Sequence, residues 1–278
     1  MKAYFDRNVF GEIKQLTDAS ETHPDIATLR RAVDDDRLSV LLSTTVLEET
    51  VPAARRSTET LKKEFEVIFG LVENRRMIKT ADDLLREALQ SYGLNRSQPD
   101  MFTRTPRFVT NFLKTGKLSG ELMEFIKAVA SQTGSFAERL NDSFSEAKRI
   151  GEERQIGRPD NLAQFWSDMA PAIASWRAEQ HGVQKQCANR GIEGLLENRT
   201  VRLYTIYYSA WVFAKWFGEQ GTPGKVKTSE RGDFFHAVQA SAADVLVTND
   251  ARFSRWLREI PVQDFDVMSL KQLTERLS

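Results

Sequence analysis

Gly232-Asp233-Phe234-Phe235-His236-Ala237-Val238-Gln239-Ala240-Ser241-Ala242-Ala243-Asp244-Val245-Leu246-Val247-Thr248-Asn249-Asp250-Ala251-Arg252-Phe253 is the stretch whose reading decides the fold. Asp233, His236, Ala237 and Ala240 recur at i, i+3, i+4 and i+7, which places them on one helical face with Asp233 in the first turn. Asp244 then ends the helix. Val245-Leu246-Val247 is wholly apolar and mostly β-branched, as a strand buried on both faces must be. Thr248-Asn249-Asp250 closes that strand. A helix and the following strand thereby bring two carboxylates toward the end of a sheet where open α/β folds bind ligands.

The start of the chain supplies two more acids. Lys2-Ala3-Tyr4-Phe5 reads as a strand, with Asp6-Arg7-Asn8 at its carboxyl end before the amphipathic run Val9, Phe10, Ile13 and Leu16. Asp6 also suits a helix N-cap. Thr22-His23-Pro24 starts a helix, and Leu38–Leu42 is a second buried strand. In the next helix Thr45-x-x-Glu48 matches a capping box. Adjacent helical residues point about 100° apart, so only one of Glu48 and Glu49 can face the site, and Glu49 is chosen. Arg76–Lys79 reads as a third strand, Thr80-x-x-Asp83 caps a helix ending near Gly93, and Phe265–Met268 reads as a last strand before a helix capped by Ser269-x-x-Gln272.

These segments resemble the PIN-domain nucleases. That family has a first strand followed by Asp-x-Asn, here Asp6-Arg7-Asn8. It has an acid two residues after a leucine, here Leu47-Glu48-Glu49. Its C-terminal half has a helical Asp followed by His-Ala, then a strand ending Thr-x-Asp and a Phe, here Asp233, His236-Ala237, Thr248-Asn249-Asp250 and Phe253. Arg7 departs from the small hydroxyl residue usual in the family. The spacings of 43 residues between Asp6 and Glu49 and 17 between Asp233 and Asp250 match it, whereas 184 residues between Glu49 and Asp233 are far too many.

The excess lies between Arg96 and Lys227, where no strand-like alternation occurs and helical spacings dominate, as in Leu122, Phe125, Ile126 and Val129 or Phe165, Trp166, Met169 and Ile173. Breaks are expected at Gly116, Gly120, Gly134, Gly157-Arg158-Pro159, Pro171, Gly191, Gly194 and Gly221-Thr222-Pro223-Gly224. The expected architecture is therefore an α/β core of 1–95 and 228–278, a PIN-like three-layer α/β/α fold with a mostly parallel sheet. It is interrupted by an all-helical insertion of five to seven helices at 96–227. Because its two ends must meet, the insertion is expected to form a separable lobe.

Four converging carboxylates would repel one another unless a cation sat among them. Oxygen-only ligation, with one cysteine and three histidines in the chain, selects a hard ion, Mg²⁺ or Mn²⁺. Asp6, Glu49, Asp233 and Asp250 are thus the candidate metal ligands and catalytic acids. Arg7, Asn8, Thr248, Asn249 and His236 are the candidate substrate contacts, although a core histidine satisfied by a backbone carbonyl is the more ordinary use of His236. The acids alone imply phosphodiester hydrolysis. The resemblance implies an endoribonuclease leaving a 3′-hydroxyl and a 5′-phosphate, often the toxin of a toxin–antitoxin pair. The rival reading is a non-catalytic PIN-fold module whose insertion docks a partner protein.

The remaining expectations concern setting. The formal net charge is zero, yet 96–227 holds 19 basic and 14 acidic residues. Phe102, Arg104, Arg107, Phe108, Phe112, Lys114 and Lys117 interleave rings with cations, as single-strand-binding surfaces do and as ordinary half-buried helices also do. Tyr204–Phe217 is aromatic but shorter than the ~20 residues of a membrane span and reads as a buried helix. A single cysteine, Cys187, and no visible signal segment suit a cytoplasmic protein. The expected partners are RNA and a protein antitoxin or other protein, with no membrane; a homodimer is left open.

Overall fold

The computed structural model describes residues 1–20, 22–52, 57–72, 76–96, 100–155, 161–217, 228–260 and 264–278, with backbone alone for 130–141 and 228–231. The expected breaks at 157–159 and 221–224 lie outside the described residues. Six strands form one sheet: β1 (Lys2–Phe5), β2 (Ser39–Ser43), β3 (Arg76–Ile78), β4 (Phe102–Arg104), β5 (Val245–Val247) and β6 (Asp266–Met268). Their order is β4-β3-β2-β1-β5-β6, all neighbouring pairs being parallel except β3 with β4. The fold is α/β with a mostly parallel sheet.

The order contains the feature that positions a site. From β1 the chain first builds outward through β2 and β3, then returns to lay β5 and β6 on the other side of β1. Neighbouring connections leave the carboxyl ends of β1 and β5 in opposite directions, which opens a crevice there. Phe5 is in register with Val247, so the residues that follow, Asp6 and Thr248, emerge side by side. The interior strands carry the apolar runs that two-sided burial requires: Ala3, Tyr4, Phe5, Val245, Leu246 and Val247 are all buried.

Helix starts follow local chemistry. Asp6 caps α1 (Arg7–Ala19) by accepting from Val9 N at 3.1 Å, and Thr80 caps α5 (Ala81–Gly93) by accepting from Asp83 N. Between them lie α2 (Pro24–Asp34), α3 (Thr44–Thr50) and α4 (Thr58–Leu71). The capping box expected at Thr45 and Glu48 does not form. Ser43, the last residue of β2, caps α3 by accepting from Val46 N at 3.2 Å, and Thr45 is buried. A serine at the junction caps the helix two residues before Thr45 could. Ser269 and Gln272 do form a capping box on α14 (Leu270–Leu277).

The stretch expected to be all-helical begins with β4, an antiparallel edge strand on which Arg76 covers the Phe102 ring at 5.3 Å. Three residues were too few to show alternation. Six helices follow among the described residues: α6 (Arg107–Thr115), α7 (Gly120–Glu153), α8 (Leu162–Gln180), α9 (Gln184–Arg190), α10 (Ile192–Leu195) and α11 (Arg199–Phe217). Pro171 and Gly134 lie inside α8 and α7 instead of breaking them, whereas Gly116 takes the left-handed conformation (φ +66°) that closes α6.

This helical stretch is not a lobe attached only by its ends. α11 packs against α5, α8 and α12 (Thr228–Gln239), and α9 lies on α5, where the Cys187 thiol reaches Leu89 O at 3.6 Å. Phe112 of α6 meets Phe65 of α4 edge to face at 5.9 Å, and Arg199 donates to the carbonyls of Ala243 and Asp264 on either side of β5. One continuous hydrophobic core runs through both parts. In the ring-and-cation stripe Phe112 is buried and Phe108 lies tilted against Phe125 at 5.3 Å, while Arg104, Arg107, Lys114 and Lys117 are exposed. Tyr204, Tyr207, Tyr208 and Trp211 are buried along α11, as its aromatic run suggested. No described helix is long and apolar enough to cross a membrane.

Asp244 also differs from expectation. A 3₁₀ turn at Ala240–Ala242 ends the helix, and the Asp244 carboxylate accepts from Lys2 N at 2.7 Å, locking β5 against β1 at the opposite edge from the site.

Candidate active site

Asp6 sits at the crevice with 2% of its surface exposed. One carboxylate oxygen caps α1, and the other accepts the Thr248 hydroxyl. The N-cap role and the site role therefore coexist, one oxygen each. Burial pushes the Asp6 carboxyl above its usual range, against the pull of His236, Thr248 and two backbone amides. Thr248 Oγ1 in turn accepts from Asp250 N at 3.1 Å, and Asp250 caps α13 (Ala251–Glu259) through Phe253 N at 2.9 Å. Asp6, Thr248 and Asp250 form one hydrogen-bonded unit across β1 and β5.

Glu49 approaches from α3. Its Oε2 lies 3.1 Å from His236 Nε2, and a Cβ placed on Gly232 would fall 2.3 Å from its Oε1. A side chain at 232 would therefore displace the Glu49 carboxylate from its present position. Asp233 lies farther into α12 than expected, since that helix starts at Thr228. It pairs with Arg252 at 2.9 Å. Burial, helped by the negative charges of Asp250 and Glu49 and opposed by Arg252 and His236, lifts its carboxyl to about 6.

His236 is bonded by side chains, not by a backbone carbonyl. Its protonation follows from the network behind it. Gln239 Nε2 donates to Lys79 O at 2.8 Å, a group that can only accept, so the Gln239 amide oxygen faces Tyr4. The Tyr4 hydroxyl donates to that oxygen at 3.1 Å and has no second proton to give. The Ser43 hydroxyl, 2.8 Å away, and His236 Nδ1 must then both donate to the Tyr4 oxygen. With Nε2–H directed at Glu49, this arrangement puts a proton on each ring nitrogen of His236, the imidazolium form. Burial alone would lower its pKa, but the carboxylates of Glu49, Asp6 and Asp233 outweigh it and the net displacement is upward. Such a group contributes stability that is complete below its unfolded pKa and is lost as pH rises through the folded one. We expect ¹⁵N resonances of His236 at about pH 7 to show two protonated nitrogens; a neutral tautomer there would contradict the network.

The other expected contacts divide. Thr248 and His236 touch the acids directly. Arg7 does not, because it forms an ion pair at 3.0 Å with Glu64 of α4. Asn249 is turned toward Glu12 of α1 and accepts from Leu270 N at 3.1 Å. Asn8 is exposed in the first turn of α1. Tyr4, Ser43, Gln239 and Arg252 were not anticipated. Tyr4 could have been, since i and i+2 on a strand share a face with Asp6, and Gln239 stands one helical turn beyond His236.

The acids share one crevice and feel one another's charge, yet among the described residues no three His, Cys, Asp or Glu side chains stand close enough to hold one ion. Arg252 and His236 hold Asp233 and Glu49 instead. The donor set itself, carboxylate oxygens with a hydroxyl, suits a hard cation. The carboxyls of Asp6 and Asp233 are raised chiefly by burial, so holding either one charged costs stability. Asp233→Asn should accordingly stabilise the cation-free protein. A carboxyl raised in the folded state costs stability above that pKa, and the cost fades as pH falls through about 6. We expect a thermal midpoint higher by roughly 2–4 °C at neutral pH and no gain near pH ~4, read by a pH series of melting curves.

The fold and site define an α/β protein with acidic residues gathered at the switch point of a parallel sheet. Comparison with protein-family models, with characterised proteins and with solved structures finds no match.

Proposed function

We propose that the chain is a metal-dependent endoribonuclease with a PIN-like three-layer core. The observation that carries this reading is the placement of Asp6, Glu49, Asp233 and Asp250, from four separate segments, around the carboxyl ends of β1 and β5. Asp6 and Asp250 would hold Mg²⁺ or Mn²⁺, with Glu49 and Asp233 completing the site. Such a cation supplies an activated water and neutralises charge on a phosphodiester. Thr248 orients the Asp6 carboxylate by its hydroxyl bond. The His236 imidazolium orients Glu49 and offsets part of the charge until the cation enters. Asp233 is released when Arg252 turns to a phosphate, a geometry its planar fork suits.

The test is cleavage of single-stranded and structured RNA with Mg²⁺ or Mn²⁺ and with excess chelator. Activity lost in chelator and restored by the ion is expected; undiminished activity in chelator overturns the proposal. A toxin restrained by a protein partner is the biological setting that the sequence resemblance favours. The second reading, a non-catalytic module, has its own support in the two ion pairs that already occupy Asp233 and Glu49. It requires that no cation displace them.

A further inference from the structure

A pocket of about 240 Å³ opens beside Asp233, between α11, α12 and α13. Its volume is below the roughly 300–1,000 Å³ of sites for drug-sized ligands, which suits a single planar ring system. Four of the lining residues are aromatic: Trp211 from α11, Phe234 from α12, and Phe253 and Trp256 from α13, the last two stacked with planes 25° apart and centroids 6.1 Å apart. Two cations also line the pocket. Arg252 is 61% exposed while bonded to Asp233, and Lys215 stands one turn beyond Trp211.

Aromatic walls and two cations beside an acidic site are the complement of one nucleotide, a flat base with its phosphate. We propose that this pocket takes one base of a single-stranded RNA flanking the phosphodiester held at the acids, and that Arg252 exchanges the Asp233 carboxylate for the RNA phosphate. The inference rests on the nuclease reading for its substrate, but the pocket is built largely by α11, which belongs to the helical stretch and not to the segments that carry the resemblance. The helical stretch thereby supplies the wall against which the substrate is placed.

Ala214 lines the pocket and is exposed on α11, so Ala214→Phe fills the space without disturbing the core. Tryptophan emission would be titrated with uridine and adenosine 5′-monophosphates and with inorganic phosphate, for the wild type and for Ala214→Phe. Saturable quenching by the nucleotides, little by phosphate, and weakening of about 5- to 150-fold in the variant are expected, the range of base–aromatic stacking, with an unchanged thermal midpoint. RNA carrying one abasic nucleotide beside the cut should lose kcat/KM by a similar factor in the wild type and nothing further in Ala214→Phe. Absence of quenching, equal quenching by phosphate, or undiminished binding to the variant overturns the pocket. Cleavage indifferent to both the abasic position and Ala214→Phe overturns it while leaving the nuclease reading intact. Nucleotide binding without any RNA cleavage leaves the pocket standing and removes the nuclease.

Discussion

Asp6→Asn is expected to abolish cation-dependent RNA cleavage, by about 10²–10³-fold or more, the scale seen when one group acting on a transition state is removed, while raising thermal stability without cation. The two effects share a cause. The carboxylate is almost fully buried and its pKa is raised by that burial, so at neutral pH its charge is held at a cost that an amide does not incur. Asn keeps the N-cap to Val9 N through its side-chain oxygen, and the Thr248 hydroxyl can rotate to accept from the new amide. Glu49→Gln separates the effects. It should also remove most activity, but it deprives the buried His236 imidazolium of its carboxylate and should lower the thermal midpoint. Cleavage assays and melting curves on the two variants check both signs. A stability gain in Glu49→Gln would show that His236 is neutral.

Replacing residues 105–217 by a short Gly/Ser linker is expected to give an insoluble or molten chain and not a smaller folded core. The helical stretch covers apolar surface that nothing else covers. Tyr204 packs on Phe234 of α12 at 5.2 Å, Tyr207 on Trp256 of α13 at 5.4 Å, and Phe112 on Phe65 of α4 at 5.9 Å. Each large buried side chain is worth about 1.5–3 kcal/mol. Exposing half a dozen on the remaining elements costs about as much as the ~5–15 kcal/mol that holds an ordinary fold together. Arg202 with Asp264 at 2.5 Å and Arg199 with the carbonyls around β5 would be lost as well. Circular dichroism and dye binding on the shortened chain decide the matter. A cooperative melt would show that the stretch is separable.

Much of the frame was legible because it is written locally. β1, β2, β3, β5 and β6 are apolar runs bounded by caps or turns, and their periodicity changes within one or two residues of the observed ends. The acids were legible because Asp6 and Asp250 follow strands, Glu49 stands on the helix after one, and Asp233 stands on the helix before one. What was not legible depended on tertiary contact. β4 has three residues and exists because β3 has a free edge. The cap of α3 fell to Ser43 and not Thr45 because α3 begins directly after β2, two residues before a Thr45 cap would allow. Arg7 and Asn249 carry the right chemistry for a substrate but are turned to Glu64 and Glu12 by neighbours far away in sequence. Tyr4, Gln239 and His236 form a network only because β1 and α12 meet, a meeting that the intervening residues conceal.

The central claim is that the carboxylates at the ends of β1 and β5 admit one hard cation. A crystal soaked in Mn²⁺ and examined by anomalous scattering tests it most directly. A peak bounded by Asp6 and Asp250, with Arg252 withdrawn from Asp233, is expected. Density without such a peak, with Arg252 still on Asp233 and His236 still on Glu49, would contradict it.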